Sequence, residues 1–496
     1  MMEAGAGDLA AARDHLERSI ALAPSGPALT SLARVLARSD LPALADLDLL
    51  APPGGAGDEF LSLRARAREL GGDLAGSAED LERFSERHPD DSAAALAAAA
   101  ALAAAGNAGR AEAYDRAMLS RWPNEIKALL GIIGFLEALG RSAEIADQFN
   151  EFPLGEDPRI AALGAMYRAR SNGQFAEALR ELDGATGVLP EGTEAQLRGE
   201  LGDRAGDEQG AIAAFTAMNR ADAMATPHWA EGVRRYRAML DATLADNVRG
   251  RPKSACPETR RPPFFLLGFP RSGTTLLDTF LMGHPDVEVH EERPYLDAAA
   301  AFTDASEARV AYWRALDREV ERPSSVQIDK YPLATARAPL INAMFPTARY
   351  FFALRHPCDV VLSCFMTRFR LNWGVSAFLP LDDAADTYDR VMTIWTRTRE
   401  RSDLDVQEVR YEALIARPEE VLREATDFAG VGFERTMLDH RVTARTRGMI
   451  STPSHAQVVE QLYGRAAGRW RRYREFLEPV LSRLAPWCER FGYDLS

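Results

Sequence analysis

Cysteine is scarce in this chain. The four residues, Cys256, Cys358, Cys364 and Cys488, share no metal-ligand spacing and are too few in 496 residues for a disulfide framework. They read as buried thiols, and no metal is expected. Long apolar runs are also missing: the longest, Ala93 to Ala105, is short for a membrane span and mostly alanine. The opening residues, MMEAGAGDLAAARDHLERS, carry acidic groups where a secretory leader needs a basic region and an apolar core. A reduced, cytoplasmic setting without a membrane span is expected. No basic stripe stands out, which disfavours nucleic acid as a partner. The formal charge of −14 belongs to the first half. Residues 1–250 hold 39 acidic and 25 basic side chains, whereas residues 251–496 hold 34 of each.

At this length two or more domains are expected. The first half is rich in alanine, leucine and arginine and shows helical periodicity without strand-like runs. Its glycines mark a period. Gly72, Gly106, Gly140, Gly173 and Gly206 are followed by a small residue five or six places on (Ala78, Ala111, Ala146, Ala178, Ala211). A bulky one comes next (Leu81, Tyr114, Phe149, Leu182, Phe215). Glycine permits a tight turn and alanine a close helix crossing. The pattern resembles the tetratricopeptide repeat, although the aromatic positions of its first helix are mostly absent. Such an array implies a helical solenoid with a concave face for a peptide or protein. The domain reading is a helical repeat domain over 1–248, a proline-rich and charged linker over 249–263, and a second domain over 264–496.

That second domain alternates strands with helices. PFFLLGFP, VEVH, SVQID, ARYFFALR and DVQEVRY read as strands, and TTLLDTFLMGH, LATARAPLINAMF, DVVLSCFMTRF and RPEEVLREATDFAG as helices. This order predicts an α/β domain with a parallel sheet, with ligands beyond the carboxyl ends of the strands. The loop after the first strand, between Gly268 and Gly273, can turn backbone N–H groups onto an anion in front of a helix dipole. It is P-loop-like but lacks the lysine of a nucleotide triphosphatase; its one cation is Arg271, and no convincing acidic strand end offers itself to magnesium.

Two ordered motifs, PRSGTT (Pro270 to Thr275) and ALRHPCDVVLSCF (Ala353 to Phe365), resemble the sulfotransferase family that uses 3′-phosphoadenosine 5′-phosphosulfate. The resemblance implies that Arg271, Ser272, Gly273, Thr274 and Thr275 hold the 5′-phosphosulfate, and that Arg355 and Ser363 hold the 3′-phosphate. HPDVEVHEERPYL is similar to the tyrosylprotein branch and implies Glu292 as catalytic base, with Glu291 the alternative one residue earlier. His290 lies out of register for a histidine base. QIDKYPL implies that Lys330, with Arg271, stabilises the transferring group. VRYEALIARPEE implies a nucleotide contact from Tyr411. SHAQV and GRWRRY imply that Ser454 and Arg469 close over the cofactor.

The expected activity is metal-independent sulfuryl transfer to a hydroxyl, a protein tyrosine being the acceptor that the branch and the repeat array suggest. Carbohydrate or small-molecule hydroxyls are the alternative acceptors. The rival functions are an ATP-dependent kinase and a repeat-based adaptor whose second domain binds nucleotide without catalysis.

Overall fold

A computed structural model of the chain describes residues 31–33, 57–70, 73–122, 125–138, 141, 144–151, 157–226, 229–249, 253–254, 260–322, 325–369, 374–446 and 466–495. By contact the chain forms two compact units, which divide between Gly164 and Ala165.

In the first unit, the helices Asp58–Leu70, Leu74–Arg87, Ser92–Ala104, Ala108–Arg121 and Ile126–Ala138 follow one another closely in sequence. The glycine period has a structural counterpart. After each periodic glycine, the next residue donates its N–H to the carbonyl five places back. These bonds are Asp73 to Arg68, Asn107 to Leu102 and Arg141 to Leu136, and, in the second unit, Gln174 to Ala169 and Asp207 to Gly202, at 2.7–2.9 Å. This closure needs a left-handed residue at the glycine, and Gly106, Gly173 and Gly206 have φ of 80°, 75° and 82°. Gly72 and Gly140 lie outside the described residues. Ala78, Ala111, Ala178 and Ala211 are buried as the crossing argument requires, while Ala146 is half-buried.

Asp115 is an unusual member of this unit. It is buried against Gly131, its Oδ1 has no partner, and burial raises its pKa to about 7. A folded-state pKa above the unfolded one means that folding takes up a proton, so stability falls as pH rises from about 4 to 7. Asp115→Asn should therefore stabilise the protein at pH 8 by roughly 1–3 kcal/mol and hardly at all at pH 4. Thermal melts at the two pH values check this, and an equal effect at both would contradict it.

The second unit contains a five-stranded, wholly parallel sheet: β1 (Phe264–Gly268), β2 (Val287–Glu291), β3 (Val326–Lys330), β4 (Arg349–Leu354) and β5 (Asp405–Arg410), in the order β2-β3-β1-β4-β5. Each expected strand is present. Central β1 is buried on both faces, which explains its unbroken apolar run. Phe265 and Leu267 join the core of Tyr350, Phe352 and Trp395. Phe264 and Leu266 join that of Leu277, Phe280 and Phe351 on the other face. Expected helices appear at Thr274–Met282, Pro357–Phe365 and Pro418–Ala429. LATARAPLINAMF instead divides into a 3-10 turn, Pro332–Arg337, and a helix, Ala338–Met344; Pro339 takes the first turn of the second piece, where its missing N–H costs nothing. The long helices Leu381–Ser402 and Arg474–Arg490 were not expected.

The repeat-bearing segment does not end where the sheet unit begins. Helices Phe175–Gly184, Glu191–Ala205, Glu208–Ala225 and Trp229–Arg249 lie in the second unit. Phe215, Met218, Tyr236 and Leu240 share one core with Phe265 and Trp395. The pair Glu191–Ala205 and Glu208–Ala225 packs tightly: a Cβ on Gly199 would fall 2.8 Å from the Phe215 ring, and one on Gly202 would fall 3.3 Å from the Ala211 nitrogen. The 249–263 stretch is thus a change of composition, whereas the contact boundary comes about 85 residues earlier.

Candidate active site

All five strands end in side chains or loops that meet at the carboxyl edge of the sheet. After β1 the chain turns sharply through Gly268 (φ 151°), Arg271 (φ 71°) and Gly273 (φ 99°) into the helix Thr274–Met282. Gly268 must be glycine here, because a Cβ would sit 2.7 Å from both the Ala353 carbonyl oxygen and Ser272 Oγ. Thr335 fixes the end of the strand: its hydroxyl accepts from the Gly268 N–H and donates to the Gly268 carbonyl, each at 2.9 Å. Gly273 lies under the Tyr411 ring, 2.7 Å from where its Cβ would be. Among the described residues the amides of Gly273, Thr274 and Thr275 have no protein acceptor. They open a helix and point a partial positive charge outward.

Three buried groups form one side of this loop. Arg271 Nε donates to Ser363 Oγ at 3.1 Å, and Arg355 donates to the Arg271 carbonyl at 3.0 Å and to the Ala466 carbonyl at 2.5 Å. The Arg355 guanidinium also lies 4.8 Å from the centre of the Tyr411 ring. Burial raises the Tyr411 phenol above its ordinary pKa and keeps it protonated. Arg271 and Ser363, expected at different ends of the donor, are in direct contact. Arg355 Nε and Ser272 Oγ are buried without a partner, and a buried donor in that state costs free energy that a ligand can recover.

On the other side of the loop stands Lys330, 0% exposed at the end of β3. Its Nζ donates to Glu292 Oε1 at 3.0 Å and Glu291 Oε1 at 3.1 Å, and lies 3.5 Å from Asp278 Oδ2 and from Thr275 Oγ1. Burial opposes the charge on Lys330, but Glu292, Glu291 and Asp278 together outweigh it and hold the ammonium above the usual lysine range. Glu291 and Glu292 both reach the lysine. Glu292 is the more open, its side chain 29% exposed against 14%. Its backbone is left-handed (φ 49°), held by a bond from its N–H to the Lys330 carbonyl at 2.7 Å. Strain of this kind in a non-glycine residue clusters at working sites. His290 is occupied elsewhere, between the Gln327 side chain at 2.6 Å and the Tyr295 hydroxyl at 3.2 Å.

The structure therefore brings together Arg271, Ser272, Gly273, Thr274, Thr275, Lys330, Glu292, Arg355, Ser363 and Tyr411. It does not bring in Arg469, which pairs with Asp203 at 3.0 Å. Ser454 lies outside the described residues. Sequence reasoning missed Asp278 and Thr335, single polar residues inside apolar or loop-like stretches. It also missed the meeting of His356, Cys358 and Cys488, whose ligand-type atoms lie within 4.8 Å of one another although the cysteines are far apart in sequence. There His356 Nδ1 accepts from the Cys358 N–H at 3.2 Å and Nε2 donates to the Asp494 carbonyl at 3.0 Å.

Among the described residues no helix is long and apolar enough to cross a membrane.

Comparison with known proteins bears on this same segment. Residues 262–324 and 295–435 match the model of the Sulfotransferase family. An uncharacterized protein of Aquifex aeolicus is 27% identical over 283 residues, 51% of this chain and 36% of that protein. Protein-tyrosine sulfotransferase 1 of Danio rerio is 23% identical over 261 residues, 47% of this chain and 72% of that protein. The solved sulfotransferase domain of the Synechococcus PCC 7002 olefin synthase aligns with 49% of this chain and 100% of its own length, at 22% identity and a TM-score of 0.34. The loop, the strand-end residues and the family match occupy one stretch of sequence, and residues 262–435 resemble the sulfotransferase family.

Proposed function

We propose that the protein transfers a sulfuryl group from 3′-phosphoadenosine 5′-phosphosulfate to the hydroxyl of a protein tyrosine. The observation that carries this reading is the pairing of two clusters on one loop. A donor-rich cradle of Arg271, Ser363, Arg355 and the loop amides lies on one side. A lysine with two glutamates lies on the other. The residues suit the donor: Arg355 Nε and Ser272 Oγ are buried and unpartnered, and the cradle is rich in hydrogen-bond donors. Arg355 and Ser363 would hold the 3′-phosphate, and Arg271 with the amides of Gly273, Thr274 and Thr275 the 5′ end. When bound, the donor supplies an activated sulfuryl group.

The remaining work falls to the chain. Lys330 holds Glu292 by one carboxylate oxygen at 3.0 Å, and the side chain is the more open of the two glutamates, so it can take the proton of an acceptor hydroxyl. Arg271 and Lys330 set positive charge where negative charge develops. Tyr411 lies over Gly273 and screens the loop from water. A tyrosine beside basic residues would suit the acidic first half, which we read as a tetratricopeptide-like array that holds the acceptor.

Incubation with ³⁵S-labelled donor and tyrosine peptides, followed by mass spectrometry, tests the reaction. Label on tyrosine is expected, and transfer of phosphate from ATP instead would overturn it. The donor site has its own test. Arg355→Ala should cost roughly 1.5–3 kcal/mol in binding of adenosine 3′,5′-bisphosphate and leave adenosine 5′-phosphosulfate, which has no 3′-phosphate, nearly unaffected in calorimetry. Equal weakening of the two ligands would show that Arg355 serves another part of the nucleotide.

A further inference from the structure

Asp203 lies outside the family-matched segment, on the helix Glu191–Ala205. It gathers three donors from the C-terminal stretch. Arg469 reaches its carboxylate at 3.0 Å, Arg472 at 3.3 Å and the Tyr473 hydroxyl at 2.6 Å, while Arg472 also donates to the Asp203 carbonyl at 2.8 Å. These donors belong to a 3-10 turn, Arg469–Tyr473. The other end of the turn is fixed in the sheet domain. The amides of Gly468 and Trp470 donate to the two carboxylate oxygens of buried Asp359 at 2.6 and 2.8 Å. The fully buried Trp470 ring stacks on His356 at 4.8 Å. Just before this turn, the Ala466 carbonyl takes a hydrogen bond from Arg355. A continuous line of contacts thus runs from Asp203 through the turn to the guanidinium of the cradle.

We infer that Asp203 is a positioning residue that holds the stretch Ala466–Tyr473 against Arg355 and so sets selectivity for a 3′-phosphate. The inference rests on the donor site proposed above. Its physical basis is charge and geometry. Without the Asp203 carboxylate, Arg469 and Arg472 lose their shared counter-charge and Tyr473 loses its acceptor. On that side the turn then keeps only Arg472, bonded to Glu208 and to the Asp203 backbone carbonyl at 2.8 Å each, and with Arg469 and Tyr473 no longer tied to Asp203 the carbonyl that aligns Arg355 can shift. The same helix pair steadies the Ser363 helix, since Asn219 donates to the Phe365 carbonyl at 3.0 Å and Asp222 pairs with Arg368 at 3.0 Å. The cradle is therefore braced by helices that the family match does not include.

The test is calorimetry on the full chain with adenosine 3′,5′-bisphosphate and adenosine 5′-phosphosulfate. The variants are Asp203→Ala, Asp203→Asn, Asp203→Glu and, as a control, Asp183→Ala, whose side chain pairs with Arg198 on the same helix. The expected result is a fall of about tenfold or more in the ratio of bisphosphate to phosphosulfate affinity for Asp203→Ala. Asp203→Glu should restore much of it and the control should match the wild type. General loosening of the fold would weaken both ligands together and leave the ratio unchanged, and that outcome overturns the inference. Should Asp203→Ala not fold, Asp203→Asn keeps an acceptor for Tyr473 and carries the same comparison. If the wild type does not prefer the bisphosphate, the donor reading itself fails; if it does and the Asp203 variants keep its ratio, only the role of Asp203 fails.

Discussion

Glu292→Gln is expected to lower the rate of sulfuryl transfer by ~10²–10⁴ while binding of adenosine 3′,5′-bisphosphate stays close to that of the wild type. Glutamine has the shape of glutamate and can still accept from Lys330, so the position of the lysine should survive. What is lost is the oxygen that takes a proton. Glu291→Gln is the informative partner variant, because both carboxylates lie about 3 Å from Lys330 Nζ. Glu291 is the more enclosed of the two, and its loss should cost less in rate. Single-turnover rates of the two variants decide between them: a crippled Glu291→Gln beside an active Glu292→Gln would move the base one residue earlier.

Lys330→Met is expected to destabilise the protein by about 3–5 kcal/mol, because it leaves buried carboxylates without their cation. Asp278 is fully buried and Glu291 nearly so. The pH dependence has a definite sign. In the wild type the Lys330 pKa is raised above its unfolded value, so its stabilisation is complete below about pH 10 and is lost only in more alkaline solution. In the variant the carboxylates take up protons on folding instead. Its deficit should be largest near pH 8 and shrink toward pH 5. Denaturant unfolding followed by tryptophan fluorescence at both pH values checks the size and the sign. A deficit that grows at acid pH would mean that the carboxylates are stabilised by some other cation.

How much of this was legible in the sequence depended on distance along the chain. The glycine period could be read because a helix end that closes five residues back needs a left-handed residue, and glycine is the usual one. The sheet could be read because buried parallel strands are short apolar runs between turn residues. Most site residues could be read because they stand at strand ends inside local motifs. The buried counter-charges could not. Asp278 sits in TTLLDTFLM as one polar residue among apolar neighbours, and the lysine that explains it comes 52 residues later. Arg469 was assigned to the cofactor from its motif, yet it pairs with Asp203 on a helix 266 residues earlier. The contact boundary near residue 164 was also hidden. Nothing in the composition distinguishes repeat helices that pack together from those, such as Glu208–Ala225, whose Phe215 and Met218 enter the core of the sheet domain.

The central claim is that the loop and its arginine cradle are built for a nucleotide with a 3′-phosphate, and one measurement tests it most directly. Calorimetric titration of the full chain with adenosine 3′,5′-bisphosphate and, separately, with ATP and magnesium compares the two anions at one site. The account predicts that the bisphosphate binds at least tenfold more tightly, with the preference abolished in Arg355→Ala. Tighter binding of ATP, undiminished by loss of Arg355, would contradict it.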